Sequence, residues 1–137
     1  RRTFIDNLRF AALHAKAAGI RLLPEPINNR DMPGFFLNHS AQALALFDEA
    51  GADNLWLQYD IYHMQIMEGD IARTIERALP RIAHMQFADN PGRHEPGTGE
   101  INYPFLFEHV DRLRYDGWMG AEYRPLGTTE SGLGWME

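Results

Sequence analysis

Apolar residues recur at helical spacing in four stretches of this chain, and short apolar runs lie between them. Over residues 3–18, Phe4, Leu8, Ala11, Ala12 and Ala15 form one stripe, and Gly19 supplies the stop. Residues 40–50 put Ala43, Leu44, Phe47 and Ala50 on one face and end at Gly51. Ile71, Ile75 and Leu79 share a face over residues 71–79, with Asp70 placed to cap the helix and Pro80 just past it. A fourth helix is expected over residues 103–115, where Phe105, Leu106, His109, Val110 and Leu113 align. The runs 20–25, 55–60, 82–87 and 118–122 read as strands. Pro, Gly, Asn and Asp make the stretches 27–36 and 89–99 loops.

Helix and strand therefore alternate four times, which predicts an α/β fold with a parallel sheet and crossover helices. The strands are short and nearly continuous in apolar character, as expected where both faces of a sheet are covered. A doubly wound sheet and a (β/α)8 TIM barrel both fit this order. The doubly wound alternative normally carries a glycine-rich turn after its first strand, and none follows residues 20–25. Instead each strand ends on a polar residue able to bind a cation, the way a barrel assembles its site at one mouth. Four βα units are about half of a barrel. The reading is that residues 1–137 are the C-terminal half of such a domain, whose open edges invite pairing with another chain and make a homo-oligomer possible. Alone, the chain is expected to lack the substrate wall and half of the hydrophobic core, and to be doubtful as a catalyst.

Composition narrows the function classes. With 45% hydrophobic and 23% charged residues the chain is ordinary globular protein. Its formal net charge of −6 offers no basic field for nucleic acid or a membrane surface. No long apolar run predicts a bilayer span, and no apolar core follows Arg1 and Arg2 to make a signal peptide. The absence of Cys excludes a disulfide scaffold, a thiolate zinc site and a cysteine nucleophile, and agrees with a cytoplasmic location.

The candidate chemistry lies at the strand ends. Glu25, Asp60, Gln86 and Glu122 each lie at or near the C-terminal end of a strand, and each interval holds a helix and its loops, so all four are expected at one mouth. Three carboxylates and an amide oxygen form a hard donor set suited to Mg²⁺ or Mn²⁺ rather than zinc. His63, three residues after Asp60, is placed to act as general acid or anion stabiliser. Arg93, in the loop after Gln86, is a candidate for holding a substrate carboxylate, with Arg124 a weaker one. His14, His39, His84, His94 and His109 receive no role. The Trp and Phe residues are expected to pack in the core.

The segments Pro24-Glu25-Pro26-Ile27-Asn28, Tyr59-Asp60-Ile61-Tyr62-His63, Gln86-Phe87-Ala88-Asp89, Pro96 to Glu100 and Gly120-Ala121-Glu122-Tyr123 occur in order along almost the whole chain. Together they make it resemble the hydroxypyruvate isomerase family of xylose-isomerase-like barrels, over the second half of that barrel. The resemblance implies a (β/α)8 fold, a divalent metal, a small keto-acid substrate, and interconversion of hydroxypyruvate with 2-hydroxy-3-oxopropanoate through an enediolate. Carried over by position, Glu25 and Glu122 are the acid/base pair and also metal ligands. Asp60 and Gln86 are the other ligands, His63 is a substrate-side histidine, and Arg93 binds substrate. Related sugar-epimerase barrels have His where Gln86 stands. Three competing readings are an epimerase of the same superfamily, a nuclease barrel, and an inert fragment. The nuclease would want several zinc-binding histidines and a basic face.

Overall fold

The computed structural model describes residues 1–136; Glu137, the last residue of the expected domain, lies outside the described residues. The helices are α1 (Arg2–Ala17), α2 (Ser40–Ala50), α3 (Ile61–Met67), α4 (Ile71–Ala78) and α5 (Tyr103–Arg112). Strands β1 (Leu57–Asp60), β2 (Ile82–Phe87) and β3 (Trp118–Ala121) form a parallel sheet in that order.

The expected first strand is only partly realised. Residues 20–25 make one parallel bridge, Leu22 to Leu55. The Leu22 N–H donates to Asn54 O at 2.8 Å, and Leu22 O and Pro24 O accept from Trp56 and Gln58 at 3.0 and 3.3 Å. Pro24 has no N–H, so the ladder cannot continue. The segment still runs beside β1 and delivers Glu25 next to it. β3 stops at Ala121, but the Glu122 N–H still donates to Phe87 O at 3.0 Å.

Helix ends follow local chemistry, with two departures from expectation. Gly51 closes α2 at φ 71°, a left-handed conformation natural to glycine, with its N–H on Phe47 O. Asn102 caps α5 through its side chain onto the Phe105 N–H. Asp70 precedes α4 but makes no side-chain cap, because its backbone is itself left-handed at φ 45°. Asp60 is a cap instead, starting α3, a helix that the hydrophobic pattern does not announce.

Strand register sorts side chains between two faces. Tyr59 is opposite Met85, Met85 opposite Met119, and Phe87 opposite Ala121. Leu57, Tyr59, Met85 and Phe87 are buried with Leu8 of α1, Phe47 of α2, Ile75 of α4 and Val110 of α5. The other face carries Gln58, Asp60, His84, Gln86, Gly120 and Trp118. Among the described residues only one face of the sheet is thus covered by apolar packing, unlike the two expected. Trp118 is 83% exposed there, and Phe10, Phe36 and Phe105 are exposed elsewhere, so the aromatic residues are not all core. Among the described residues no helix is long and apolar enough to cross a membrane.

Candidate active site

The polar face of the sheet ends in a cluster. Asp60 terminates β1 and is 1% exposed. Its Oδ1 accepts the Tyr62 and His63 N–H groups at 2.7 and 3.3 Å, which begins α3 and turns His63 back over the strand ends. Its Oδ2 is left facing the cluster. Glu25 arrives from the neighbouring segment. His63 Nε2 stands 3.8 Å from Glu25 Oε1 and 3.8 Å from Asp60 Oδ2. Ligand atoms of Glu25, Asp60 and His63 all lie within 4.8 Å of one another.

Glu25 Oε1 and Asp60 Oδ2 are buried and have no hydrogen-bond partner among the described residues. Burial pushes the Glu25 carboxyl up to about 7, with the charges of Asp60 and Glu122 adding to it against Arg93 and Gln58. Burial likewise raises Asp60 to about 6, despite the two N–H groups on Oδ1. Burial and the Arg93 charge lower His63 to about 4. Two adjacent carboxylates that each keep one buried oxygen without a donor are costly unless a cation joins those oxygens. The donor set therefore fits a divalent metal, with Glu25 and Asp60 the residues best placed to hold it.

Gln58, inside β1 and not among the expected site residues, links two expected ligands through its amide. Gln58 Nε2 donates to Glu25 Oε2 at 2.9 Å and also to Gln86 Oε1. A signal existed: Gln58 lies two residues before Asp60, so a strand puts both on one face. Gln86 pairs in register with Asp60 and so reaches the same mouth.

Glu122 and Arg93 form a second pole. Glu122 Oε2 accepts from Arg93 at 2.7 Å, and the Glu122 side chain is half exposed. Glu122 is thus not gathered into the buried cluster, though its charge is felt by both Glu25 and Asp60. The Arg93 guanidinium lies 5.1 Å from the Tyr62 ring centre, a cation–π contact. A cleft of about 340 Å³ opens between Asp31, Tyr62, Arg93 and Arg124.

The loop carrying Arg93 is organised by Asp89, a residue whose role the sequence pattern does not reveal. The buried Asp89 carboxylate accepts four backbone N–H groups, from Asn90, Gly97, Gly99 and Ile101, at 2.9 to 3.1 Å. Gly99 is required for this wrap, since a Cβ there would lie 2.0 Å from Asn90 O. Arg93 is held at φ 57°. Its N–H donates to Asp89 O at 2.8 Å and its carbonyl accepts from Arg124 at 2.7 Å.

A sequence profile of the xylose isomerase-like TIM barrel family matches residues 1–137. The chain belongs to that family. It is 53% identical over its full length to a 2-oxo-tetronate isomerase of Cupriavidus necator, of which it covers 53%. It is also 53% identical, over 98% of its length, to the hydroxypyruvate isomerase of Escherichia coli, of which it covers 52%. The chain thus spans about half the length of the curated relatives it matches. A solved structure named as a family 2 AP endonuclease from Brucella melitensis superposes with a TM-score of 0.95 at 47% identity, over 98% of this chain and 52% of that one. The apo form of a 3-keto-D-glucoside 4-epimerase from Escherichia coli gives a TM-score of 0.89 at 26% identity, over 99% and 52%. The three parallel strands and their helices are therefore part of a barrel of this family.

Proposed function

We propose that the protein isomerises a short hydroxylated 2-oxo acid, interconverting hydroxypyruvate and 2-hydroxy-3-oxopropanoate. The observation that carries this reading is the pair of buried, donor-less carboxylate oxygens of Glu25 and Asp60, set beside an arginine able to bind an anion. The names of two close relatives, a hydroxypyruvate isomerase and a 2-oxo-tetronate isomerase, support the same substrate class.

The reaction moves one hydrogen between neighbouring carbons and needs no redox partner. One glutamate takes a proton from C3 of hydroxypyruvate. The C3 hydroxyl becomes the aldehyde as its proton passes to the C2 oxygen, the C2 carbonyl becomes a hydroxyl, and a proton is returned to C2 by the other glutamate or by the same one. A divalent cation held by Glu25 and Asp60, with Gln86 and, once it is released from Arg93, Glu122 completing its ligands, would polarise the substrate oxygens and acidify that C–H bond. Glu25, desolvated to about 7, is poised to exchange protons near neutral pH. His63 supports the oxygen on which negative charge develops.

Arg93 selects for a carboxylate. Its guanidinium already pairs with one, that of Glu122, at 2.7 Å. An incoming keto acid competes for the same group and releases Glu122 toward the reacting carbons. A neutral ketose lacks the carboxylate to make that exchange, which favours the keto acid over the epimerase alternative. The nuclease reading is disfavoured by a cluster with a single histidine and by the net charge of −6.

The test is to incubate the protein at its natural length with hydroxypyruvate and Mg²⁺ or Mn²⁺ in deuterium oxide and follow products by NMR. Formation of 2-hydroxy-3-oxopropanoate is expected. Turnover of ketohexoses without any change in hydroxypyruvate or 2-oxo-tetronates would replace this reading with the epimerase.

A further inference from the structure

The two ring nitrogens of His63 face different surroundings, and one of them is fixed by a residue outside the proposed chemistry. Nε2 looks into the carboxylate cluster. Nδ1 lies 2.6 Å from Asn28 Nδ2 and 3.4 Å from the backbone N of Asn28. Asn28 itself is fully buried, at 0% exposure.

Which end of an amide is oxygen follows from its partners. The Asp31 N–H donates to Asn28 Oδ1 at 2.7 Å, and Asp31 Oδ2 accepts from Asn28 Nδ2 at 3.1 Å. Asp31 Oδ2 also accepts from the Tyr62 hydroxyl at 2.7 Å. Turning the amide over would set oxygen against a carboxylate and NH₂ against an N–H. The orientation is therefore determined. One hydrogen of Nδ2 goes to Asp31 and the other to His63 Nδ1, where the backbone N–H of Asn28 adds a second donor. A nitrogen receiving two donors carries no hydrogen of its own. The single proton of a neutral imidazole must then sit on Nε2.

We propose that Asn28 is a positioning residue that locks His63 in the Nε2–H tautomer, so that His63 offers a hydrogen-bond donor to the site and is not a cation ligand. Metal ligation needs the lone pair that the Nε2 proton occupies. The cluster of Glu25, Asp60 and His63 accordingly divides into two anionic ligands and one donor aimed at them. The donor's value to catalysis rests on the proposed isomerase function; the tautomer itself rests only on the contacts of Asn28.

Long-range proton–nitrogen NMR of ¹⁵N-histidine-labelled protein at its natural length reads the tautomer directly, with His63→Gln identifying the signals. In cation-free protein at neutral pH, Nδ1 should resonate as unprotonated and Nε2 as protonated, and adding Mg²⁺ should leave the Nε2 proton in place. Asn28→Asp replaces the donor with an acceptor of equal shape and should put a proton on Nδ1. It should also lower kcat about 100-fold with little change in KM. A protonated Nδ1 in the unsubstituted protein, or displacement of the Nε2 proton by Mg²⁺, overturns the proposal. That spectrum decides even if Asn28→Asp fails to fold. The expected spectrum in a protein that isomerises no keto acid upholds the tautomer and removes the proposed function.

Discussion

Glu25 and Glu122 are the same residue type at the ends of the two outer lanes of one sheet, with β1 and β2 between them, and their surroundings are opposite. Glu25 is largely buried among Asp60, His63 and Gln58, and burial holds its carboxyl at about 7. Glu122 is half exposed and paired with Arg93. The first pole has one carboxylate oxygen each from Glu25 and Asp60 without donors, so it has an electrostatic need that a cation meets. The second pole is neutralised within itself, and what it offers is an arginine whose present partner can be exchanged. Residue type brings a carboxylate to the mouth of the site; desolvation and the nearest opposite charge decide whether it gathers a cation or trades an ion pair.

The contrast is most strongly tested by removing each carboxylate in turn. Glu25→Gln should reduce kcat about 1,000-fold or more with the fold intact by circular dichroism. Glu122→Gln should also lose most turnover, but with a lower KM for the keto acid, because Arg93 no longer has a competing anion. Near-normal turnover in Glu122→Gln would leave Glu25 as the only acid/base group. Arg93→Met should act mainly on KM, raising it about 10- to 100-fold for keto acids, as expected for loss of a charge-assisted pair. An unchanged KM would separate Arg93 from substrate binding.

Asp89→Asn tests the loop that carries the second pole. It places an amide where four N–H groups converge, and should lower stability by about 1–3 kcal/mol in urea unfolding. Glu25→Gln, by contrast, should not destabilise cation-free protein.

The smallest effect concerns pH. Glu25 and Asp60 have folded values above their ordinary 4.5 and 3.8, so their protonated forms favour the fold. That contribution is complete below those ordinary values and is lost as pH rises to about 7 and about 6 respectively. His63, lowered from 6.5 to about 4, works the other way and loses stability as pH falls through that range. Two groups outweigh one, so thermal melting of cation-free protein should shift downward between pH 4 and 7, and added Mg²⁺ should raise it most at the upper end. A melting point that climbs over that range would mean the two carboxylates are not desolvated as described.

Much of the architecture is legible in the chain itself. Helix α2 falls where the spacing of Ala43, Phe47 and Ala50 predicts, and Gly51 ends it. The strand endings at Asp60, Gln86 and Glu122 mark one mouth because a parallel order with intervening helices leaves them no other common place. Residues 20–25 fell short of a full strand for a reason also visible in the chain, the missing N–H of Pro24. Helix α3 has no hydrophobic signature of its own, because it is short and the carboxylate that starts it, Asp60, is also a site residue.

The chain's own pattern of apolar and polar residues determined the alternation of helices and strands and brought carboxylates to the strand ends, since those follow from periodicity and turn chemistry within a few residues. It could not set how the carboxylates differ. Whether Glu25 is desolvated, whether Glu122 meets Arg93 and which nitrogen of His63 carries the proton depend on groups far apart in sequence, and Asp89 is enclosed only once the loop that follows it folds back. Electrostatic energy and hydrogen-bond satisfaction act through distance and burial, and only the folded arrangement of loops 27–31 and 89–101 around the sheet supplies those.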